Sequence, residues 1–319
     1  MDKHSKLYIA GHRGLAGSAI VRELQRQGYA NLVMRTHAEL NLEDFNATQK
    51  FFEQERPEIV FLAAAKVGGI HANNTYPVEF LMSNLLIEAN ICRAAHATRV
   101  NRLIFLGSSC IYPRACPQPI KEEYLLTGPL EATNRPYALA KIAGIEMCWS
   151  YNRQYGTKWL AVMPTNLYGP GDNYDLDNSH VLPALIRKMH EAKLSGAQEV
   201  VLWGSGTPRR EFLYADDLAN ALVFLATMED GRYDALVDPS QCPLINVGSG
   251  EDITIRELAE TVAAVVGYKG RFVQDTSRPD GTMRKVMDVS RIRKLGWSAK
   301  TSLEEGIDLT YKTYIEAQA

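Results

Sequence analysis

The chain has no excess of either charge. Lys and Arg number 35 against 37 Asp and Glu, a formal net charge of -2 over 319 residues. That balance excludes the electrostatic footprint of a nucleic-acid binder, while a few local arginines could still hold a small anion. Cysteine is scarce. The 5 cysteines, at 92, 110, 116, 148 and 242, form no CxxC pair and no even framework. This excludes a disulfide scaffold and reads as reduced thiols in a cytoplasmic protein. No segment reaches the roughly 18 apolar residues of a membrane span. The apolar stretch Leu7-Tyr8-Ile9-Ala10 is too short for a secretory core. Repeats and low-complexity linkers are missing, and no Cys or His grouping has metal-ligand spacing, so no metal is expected.

What is present is a rhythm. Short, continuously apolar runs, Leu7 to Ala10, Leu32 to Met34, Ile59 to Ala65 and Leu103 to Leu106, alternate with segments that carry apolar residues at helical spacing. Fully apolar strands separated by helices predict a parallel sheet covered on both faces, a Rossmann-like α/β fold. Helices are expected over 80–96, 137–149, 182–193, 216–228 and 255–266, the last with Thr254 and Glu257 as a capping box. Residues 168–180, rich in Gly, Asp, Asn and Pro, read as a loop. The length suits two lobes: a dinucleotide-binding domain over 1–165, with segments near 211–250 returning to it, and a smaller, interleaved mixed α/β lobe over 166–319.

The run Gly11-His12-Arg13-Gly14-Leu15-Ala16-Gly17 follows the first strand and opens a helix. Its spacing is GxxGxxG rather than the stricter GxGxxG, yet its position suits a pyrophosphate resting on free helix N–H groups. An acid usually ends the second strand of an NAD site to bond the ribose diol. Here that place holds Arg35, and Arg13 lies inside the loop. Two guanidiniums match a 2'-phosphate, so NADPH is the expected cofactor.

Ser108 and Ser109 end another apolar run, and Tyr137 and Lys141 stand at i and i+4 of an expected helix. One helix face then presents both. An adjacent ammonium favours the phenolate and draws a phenol toward a useful range. A serine hydroxyl can bond a substrate oxygen while Tyr137 protonates it as hydride reaches the carbon. Lys141 can also hold the nicotinamide ribose.

The order of glycine loop, serine and YxxxK resembles the extended short-chain dehydrogenase/reductase superfamily. Within it, Ala65-Lys66-Val67-Gly68-Gly69-Ile70, Gly107-Ser108-Ser109-Cys110-Ile111-Tyr112-Pro113 and Met163-Pro164-Thr165-Asn166-Leu167-Tyr168-Gly169-Pro170 are similar to the GDP-L-fucose synthase family. Asn178-Ser179-His180-Val181 and Trp203-Gly204-Ser205-Gly206-Thr207 fit as well. The resemblance spans essentially the whole chain.

It implies a dual reaction on GDP-4-keto-6-deoxy-D-mannose: inversion at C3 and C5, then NADPH-dependent reduction at C4. Ser108, Tyr137 and Lys141 become the reductase set. Cys110 and His180 become the epimerase pair, base and acid respectively, although the residues alone do not order those two roles. A thiol and an imidazole titrate near the useful range. Cofactor contacts are implied for Gly11, His12, Arg13, Gly14, Leu15, Ala16, Gly17, Arg35, Asn41, Leu42, Ala63, Ala64, Leu106, Gly107, Lys141, Pro164, Asn166, Leu167 and His180. Substrate contacts are implied for Ser108, Ser109, Asn166, Val181, Lys188, Trp203, Arg210 and Asp280, with Lys188 and Arg210 toward the phosphates. Arg278 stands where the family often has lysine. A homodimer is also implied, with 80–98 and 137–155 as candidate interface helices. A single-function nucleotide-sugar 4-reductase or epimerase, and an NADPH-binding regulator without turnover, are the alternatives.

Overall fold

The computed structural model describes residues 2–318 apart from 177, 278, 279 and 281, so Arg278 lies outside the described residues. Strands and helices alternate as β1 (Leu7–Ala10), α1 (Leu15–Arg26), β2 (Leu32–Val33), α2 (Phe45–Glu55), β3 (Ile59–Leu62), α3 (Ile70–Thr75), α4 (Pro77–Ala97), β4 (Arg102–Leu106), α5 (Arg135–Tyr155) and β5 (Lys158–Pro164). The order then becomes β6 (Asn166–Tyr168), α6 (Val181–Ser195), β7 (Glu199–Trp203), β8 (Arg209–Tyr214), α7 (Ala215–Thr227), α8 (Asp230–Leu236) and β9 (Leu244–Val247). It closes with β10 (Asp252–Thr254), α9 (Ile255–Val266), β11 (Arg271–Asp275), β12 (Arg284–Lys285), α10 (Ser290–Lys294) and α11 (Leu303–Glu316).

The main sheet is parallel throughout, in the order β2-β1-β3-β4-β5-β9. Its strands are apolar on both faces because helices cover both, as the continuous runs predict. The chain leaves β1 toward β2 on one side and returns to β3 on the other. That switch point opens a crevice at the carboxyl ends of β1 and β3, where ligands of such sheets bind. One core surrounds this sheet and includes Leu218, Leu222, Leu225 and Ile245 from late in the chain. A second core packs α6, α9 and α11 against β7 and β8.

Several boundaries differ from the sequence reading. The helix expected over 137–149 runs on to Tyr155, where Gly156 takes a left-handed cap at φ 68°. The helix expected over 182–193 likewise extends to Ser195 before Gly196 at φ 70°. Tyr168, read as loop, belongs to β6 and pairs with Tyr214 of β8. β8 escapes detection because Arg209, Arg210 and Glu211 break its apolar pattern, although Glu211 is fully buried. The Thr254–Glu257 capping box is present.

Gly144 shows how tightly α5 lies on the sheet. A Cβ there would fall 2.8 Å from Glu88 Oε2 and within 2.9 Å of the Phe105 ring. Gly144→Ala is expected to destabilise the fold by about 1–3 kcal/mol through overpacking, outweighing a helix-propensity gain of about 1 kcal/mol. Chemical denaturation monitored by circular dichroism checks the sign.

Candidate active site

The carboxyl ends of β1, β3, β4 and β5 deliver the predicted residues to one edge. Gly11 sits there with φ 84°, and a Cβ on it would come 2.7 Å from Ala64 N. Only glycine meets both demands. Gly17 is equally constrained: a Cβ would come 2.9 Å from His12 Cα. Gly14 is the N-cap of α1 and meets only Gly11 O, at 3.5 Å. The first turn of α1 carries no acidic side chain. The loop, Ala63 and Ala64 therefore form a backbone-lined cradle facing free helix N–H groups, which fits a pyrophosphate. His12, Arg13 and Arg35 lie within electrostatic reach of Glu39. Burial, then Arg13, hold the His12 imidazole below its ordinary range. Arg13 is exposed, whereas Arg35 bonds Glu55 Oε1 at 2.6 Å and Met34 O at 2.8 Å. Leu42 is buried, and its carbonyl accepts from Asn90 at 2.9 Å. Asn41 accepts from Glu43 N at 3.0 Å.

Beyond β4, Leu106 and Gly107 lead into Ser108, which caps a short 3-10 turn and accepts from Cys110 N at 3.4 Å. Met163 fills the space beside Gly107. The Ser108 hydroxyl also stands beside the Tyr137 side chain, where it favours the ionised phenol. Tyr137 packs edge-on to Phe80 at 6.3 Å. Lys141, one turn on, is 1% exposed. Its Nζ donates to Leu106 O at 3.1 Å and lies 3.1 Å from Glu88 Oε1.

Glu88 is the residue that sequence reading missed. It is 1% exposed on α4, and Lys141 is its only ion-pair partner among the described residues. A single acid inside Leu85-Leu86-Ile87-Glu88-Ala89 was the available signal. Burial pushes its carboxyl up, and Lys141 pulls it back. The pair corrects one expectation. Tyr137 is not drawn down by Lys141; burial, then Cys110 and Glu88, push the phenol well above its ordinary range. The charged partner that Lys141 touches is Glu88, at 3.1 Å.

Cys110 is 8% exposed, and its backbone N–H donates to the Ser108 hydroxyl. Burial pushes its thiol up, against Lys285, Ser108 and Lys141. Lys285 arrives from β12, opposite Arg210 of β8, and nothing local in the sequence announces it. His180 is the N-cap of α6. The segment before it docks on the loop after β3, with Gly69 N donating to Asn178 O at 3.1 Å. The imidazole keeps solvent access, yet burial holds it below its ordinary range. Both groups thus move away from the neutral range expected of them, in opposite directions.

The remaining predicted contacts spread along one flank. Pro164 ends β5, and Asn166 and Leu167 follow in β6, with Asn166 Nδ2 donating to Glu211 O at 2.8 Å. Ser109 is buried beside Ser108, and Val181 starts α6 half in solvent. Lys188 lies 4.7 Å over the Trp203 ring, whose face is half exposed. Arg210 lies within electrostatic reach of Asp280. Asp280 itself accepts from Ser205 N at 2.9 Å and Ser205 Oγ at 2.7 Å. No metal-binding group of three or more His, Cys, Asp or Glu side chains occurs among the described residues.

A parallel sheet, a glycine cradle and a Ser-Tyr-Lys set define a dinucleotide-dependent enzyme class. Residues 7–236 match the NAD dependent epimerase/dehydratase family, and the chain belongs to that family. Within it the likeness runs to GDP-L-fucose synthases. The GDP-L-fucose synthase of Escherichia coli (strain K12) is 56% identical, over 98% of this chain and 97% of that protein. GDP-L-fucose synthase 1 of Arabidopsis thaliana is 55% identical, over 99% and 94%. Among solved structures, the GDP-mannoheptose C4 reductase MlghC of Campylobacter jejuni, with NADP bound, is 40% identical with a TM-score of 0.89, covering 99% of both chains.

Gly11→Ala places a side chain in a left-handed conformation against Ala64. It is expected to weaken NADPH binding about tenfold or more, read from the change in NADPH fluorescence on titration.

Proposed function

We propose that this chain converts GDP-4-keto-6-deoxy-D-mannose to GDP-L-fucose by inversion at C3 and C5 followed by NADPH-dependent reduction at C4. The observation that carries this reading is one hydroxyl, Ser108 Oγ, that accepts from Cys110 N at 3.4 Å and stands beside the Tyr137 side chain. Oxygen donors for a ketone and a thiol for its neighbouring carbon therefore stand together.

The protons at C3 and C5 lie alpha to the C4 carbonyl, so removing either makes an enolate. Ser108 and Tyr137 donate hydrogen bonds to that oxyanion. Cys110 takes the proton on one face and His180 supplies one on the other. Burial leaves the resting proton on Cys110 and off His180. The pair must therefore exchange charge states before the first abstraction, and the nearby Lys285 ammonium favours the thiolate.

When bound, NADPH supplies the hydride that C4 receives. Tyr137, a neutral phenol at rest, then passes its proton to the C4 oxygen. The loop from Gly11 to Gly17, with Ala63 and Ala64, would hold the pyrophosphate. Arg13 and Arg35 would hold the 2'-phosphate, Arg35 while still tied to Glu55, and Lys141 the ribose. Asn41, Leu42, Leu106, Gly107, Pro164 and Leu167 complete the cofactor's surroundings.

For the substrate, Lys188 and Arg210 are assigned to the phosphates. The exposed face of Trp203, with Asn166, Ser109, Val181 and Asp280, is assigned to the rest of the nucleotide sugar. The cofactor unit is 1–165 with returning segments near 211–250, and 166–319 mainly binds substrate. A cytoplasmic location accords with the free cysteines among the described residues. No helix among those residues is long and apolar enough to cross a membrane.

A homodimer is part of this reading. Val78, Met82 and Leu86 are 66%, 46% and 39% exposed along one stripe of α4, beside Leu139 of α5 at 40%. Such a row of apolar side chains suits a second copy.

The native chain, given the keto sugar and NADPH in deuterated water, is expected to oxidise NADPH and place deuterium at C3 and C5. Absence of deuterium would reduce the reading to a C4 reductase, and absence of oxidation would remove that as well. Cys110→Ser is expected to cut deuterium entry about 10²–10⁴-fold while the uninverted ketone is still reduced, giving a product that mass spectrometry and NMR distinguish. Met82→Lys is expected to yield monomers in sedimentation velocity, and an unchanged dimer would move the interface elsewhere.

A further inference from the structure

We propose that Glu88 is a positioning residue of the reductase set, whose buried carboxylate fixes and offsets the Lys141 ammonium so that Tyr137 rests as the neutral phenol that ketone reduction consumes. The proposal rests on the reductase half of the function above. Three observations carry it. The carboxylate and the ammonium are 3.1 Å apart with side-chain exposures of 1% and 2%. Among the described residues no donor makes a hydrogen bond of good geometry to either Glu88 oxygen, so the ion-pair contact with Lys141 is what faces the carboxylate. Gly144, one turn beyond Lys141, keeps that space open, since a Cβ there would press on Glu88 Oε2 at 2.8 Å.

A buried carboxylate with one partner is costly to keep. Leu106 O also accepts from Lys141 at 3.1 Å, so Glu88 is one of two anchors for the ammonium. What the acid adds is charge. An uncompensated ammonium on the same helix face as Tyr137 would stabilise the phenolate. A phenolate suits alcohol oxidation, because it accepts a proton. Reduction of a ketone needs the opposite, a phenol with a proton to give. Glu88 favours that form: it is among the groups that push Tyr137 up, after burial and Cys110.

The titratable groups around the pair are few. From α5 come Tyr137 and Cys148, from α4 itself Cys92, and from the turn after β4 Cys110. The adjacent strand β4 presents the Phe105 ring, 4.8 Å from Lys141 Nζ, and the Leu106 carbonyl. Burial holds the thiols of Cys92, Cys110 and Cys148 above their ordinary range, so they are neutral near pH 7. Burial lifts the Glu88 carboxyl to about 7 against the pull of Lys141, so above that pH Glu88 is the ionised group that sets the field at Lys141.

Glu88→Gln keeps the shape and removes the charge. In the full-length protein, the alkaline limb of the pH profile for NADPH oxidation is expected to move down by about one unit or more, a roughly tenfold change in the phenol's ionisation. Glu88→Asp, which restores the charge, is expected to recover most of that shift. A Glu88→Gln profile that overlays the native one overturns the proposal. If Glu88→Gln fails to fold, Glu88→Leu, which removes the charge with an apolar side chain of similar length, is read in its place: a limb displaced downward supports the charge role, and an unmoved limb overturns it.

The phenol can also be titrated without substrate. The ultraviolet difference between each protein and its Tyr137→Phe counterpart reports it, and Glu88→Gln should ionise at lower pH than the native chain. If the native chain leaves the keto sugar untouched, the function above fails. The substrate-free titration then decides the role of Glu88: a downward shift supports it, and none overturns it.

Discussion

The site depends on keeping a buried ammonium charged where the cofactor's ribose would lie. Lys141 reaches the sheet edge from α5, and two oxygens hold it, the Leu106 carbonyl and the Glu88 carboxylate, each at 3.1 Å. Those contacts tie three elements together. Leu106 ends β4, whose continuation is Ser108 and Cys110. Glu88 lies on α4, which packs along α5. α5 itself carries Tyr137. Displacing any of the three moves the proton donor, the oxyanion donor or the thiol relative to the others. An ion pair of this kind contributes little net stability against its desolvation cost. Its value here is placement.

The same logic explains why the second lobe cannot be cut away. Glu211, fully buried on β8, accepts from Gly250 N and Met287 N, each at 2.7 Å. Its own carbonyl accepts from Asn166 at 2.8 Å. Glu211 thus fastens the start of β6 through its carbonyl, and the turn after β9 and the segment after β12 through its carboxylate. Arg210 and Lys285 occupy facing register positions beside that knot. The cations on the substrate side are thus positioned by chain segments far apart in sequence.

That distance decides what could be read beforehand. The parallel sheet was legible because its strands are short, mainly apolar runs without alternation, and the glycine loop because its residues are contiguous. Tyr137 and Lys141 were legible at helical spacing. Glu88 and Lys285 were not. An acid in an apolar helix looks the same whether it meets solvent or a buried lysine, and a two-residue strand such as β12 has no periodicity to detect. The direction of the Tyr137 shift was misjudged for the same reason. The i+4 lysine was visible, and the carboxylate that offsets it came from another helix.

The two chemistries make opposite demands on one set of donors, and burial reconciles them. Enolate formation needs hydrogen-bond donors at the ketone oxygen that do not themselves lose protons. Reduction needs one of those donors to give up its proton once hydride has arrived. A neutral phenol held above its ordinary range satisfies the first demand, because its proton stays in place while the enolate forms. It satisfies the second as well: the alkoxide left by reduction is far more basic than an enolate, so transfer from Tyr137 becomes favourable only at that stage. A phenolate-prone tyrosine would fail at both points. On the proposed roles, the acid on α4 and the apolar walls around Tyr137 let inversion come before the step that makes the stereocentres permanent.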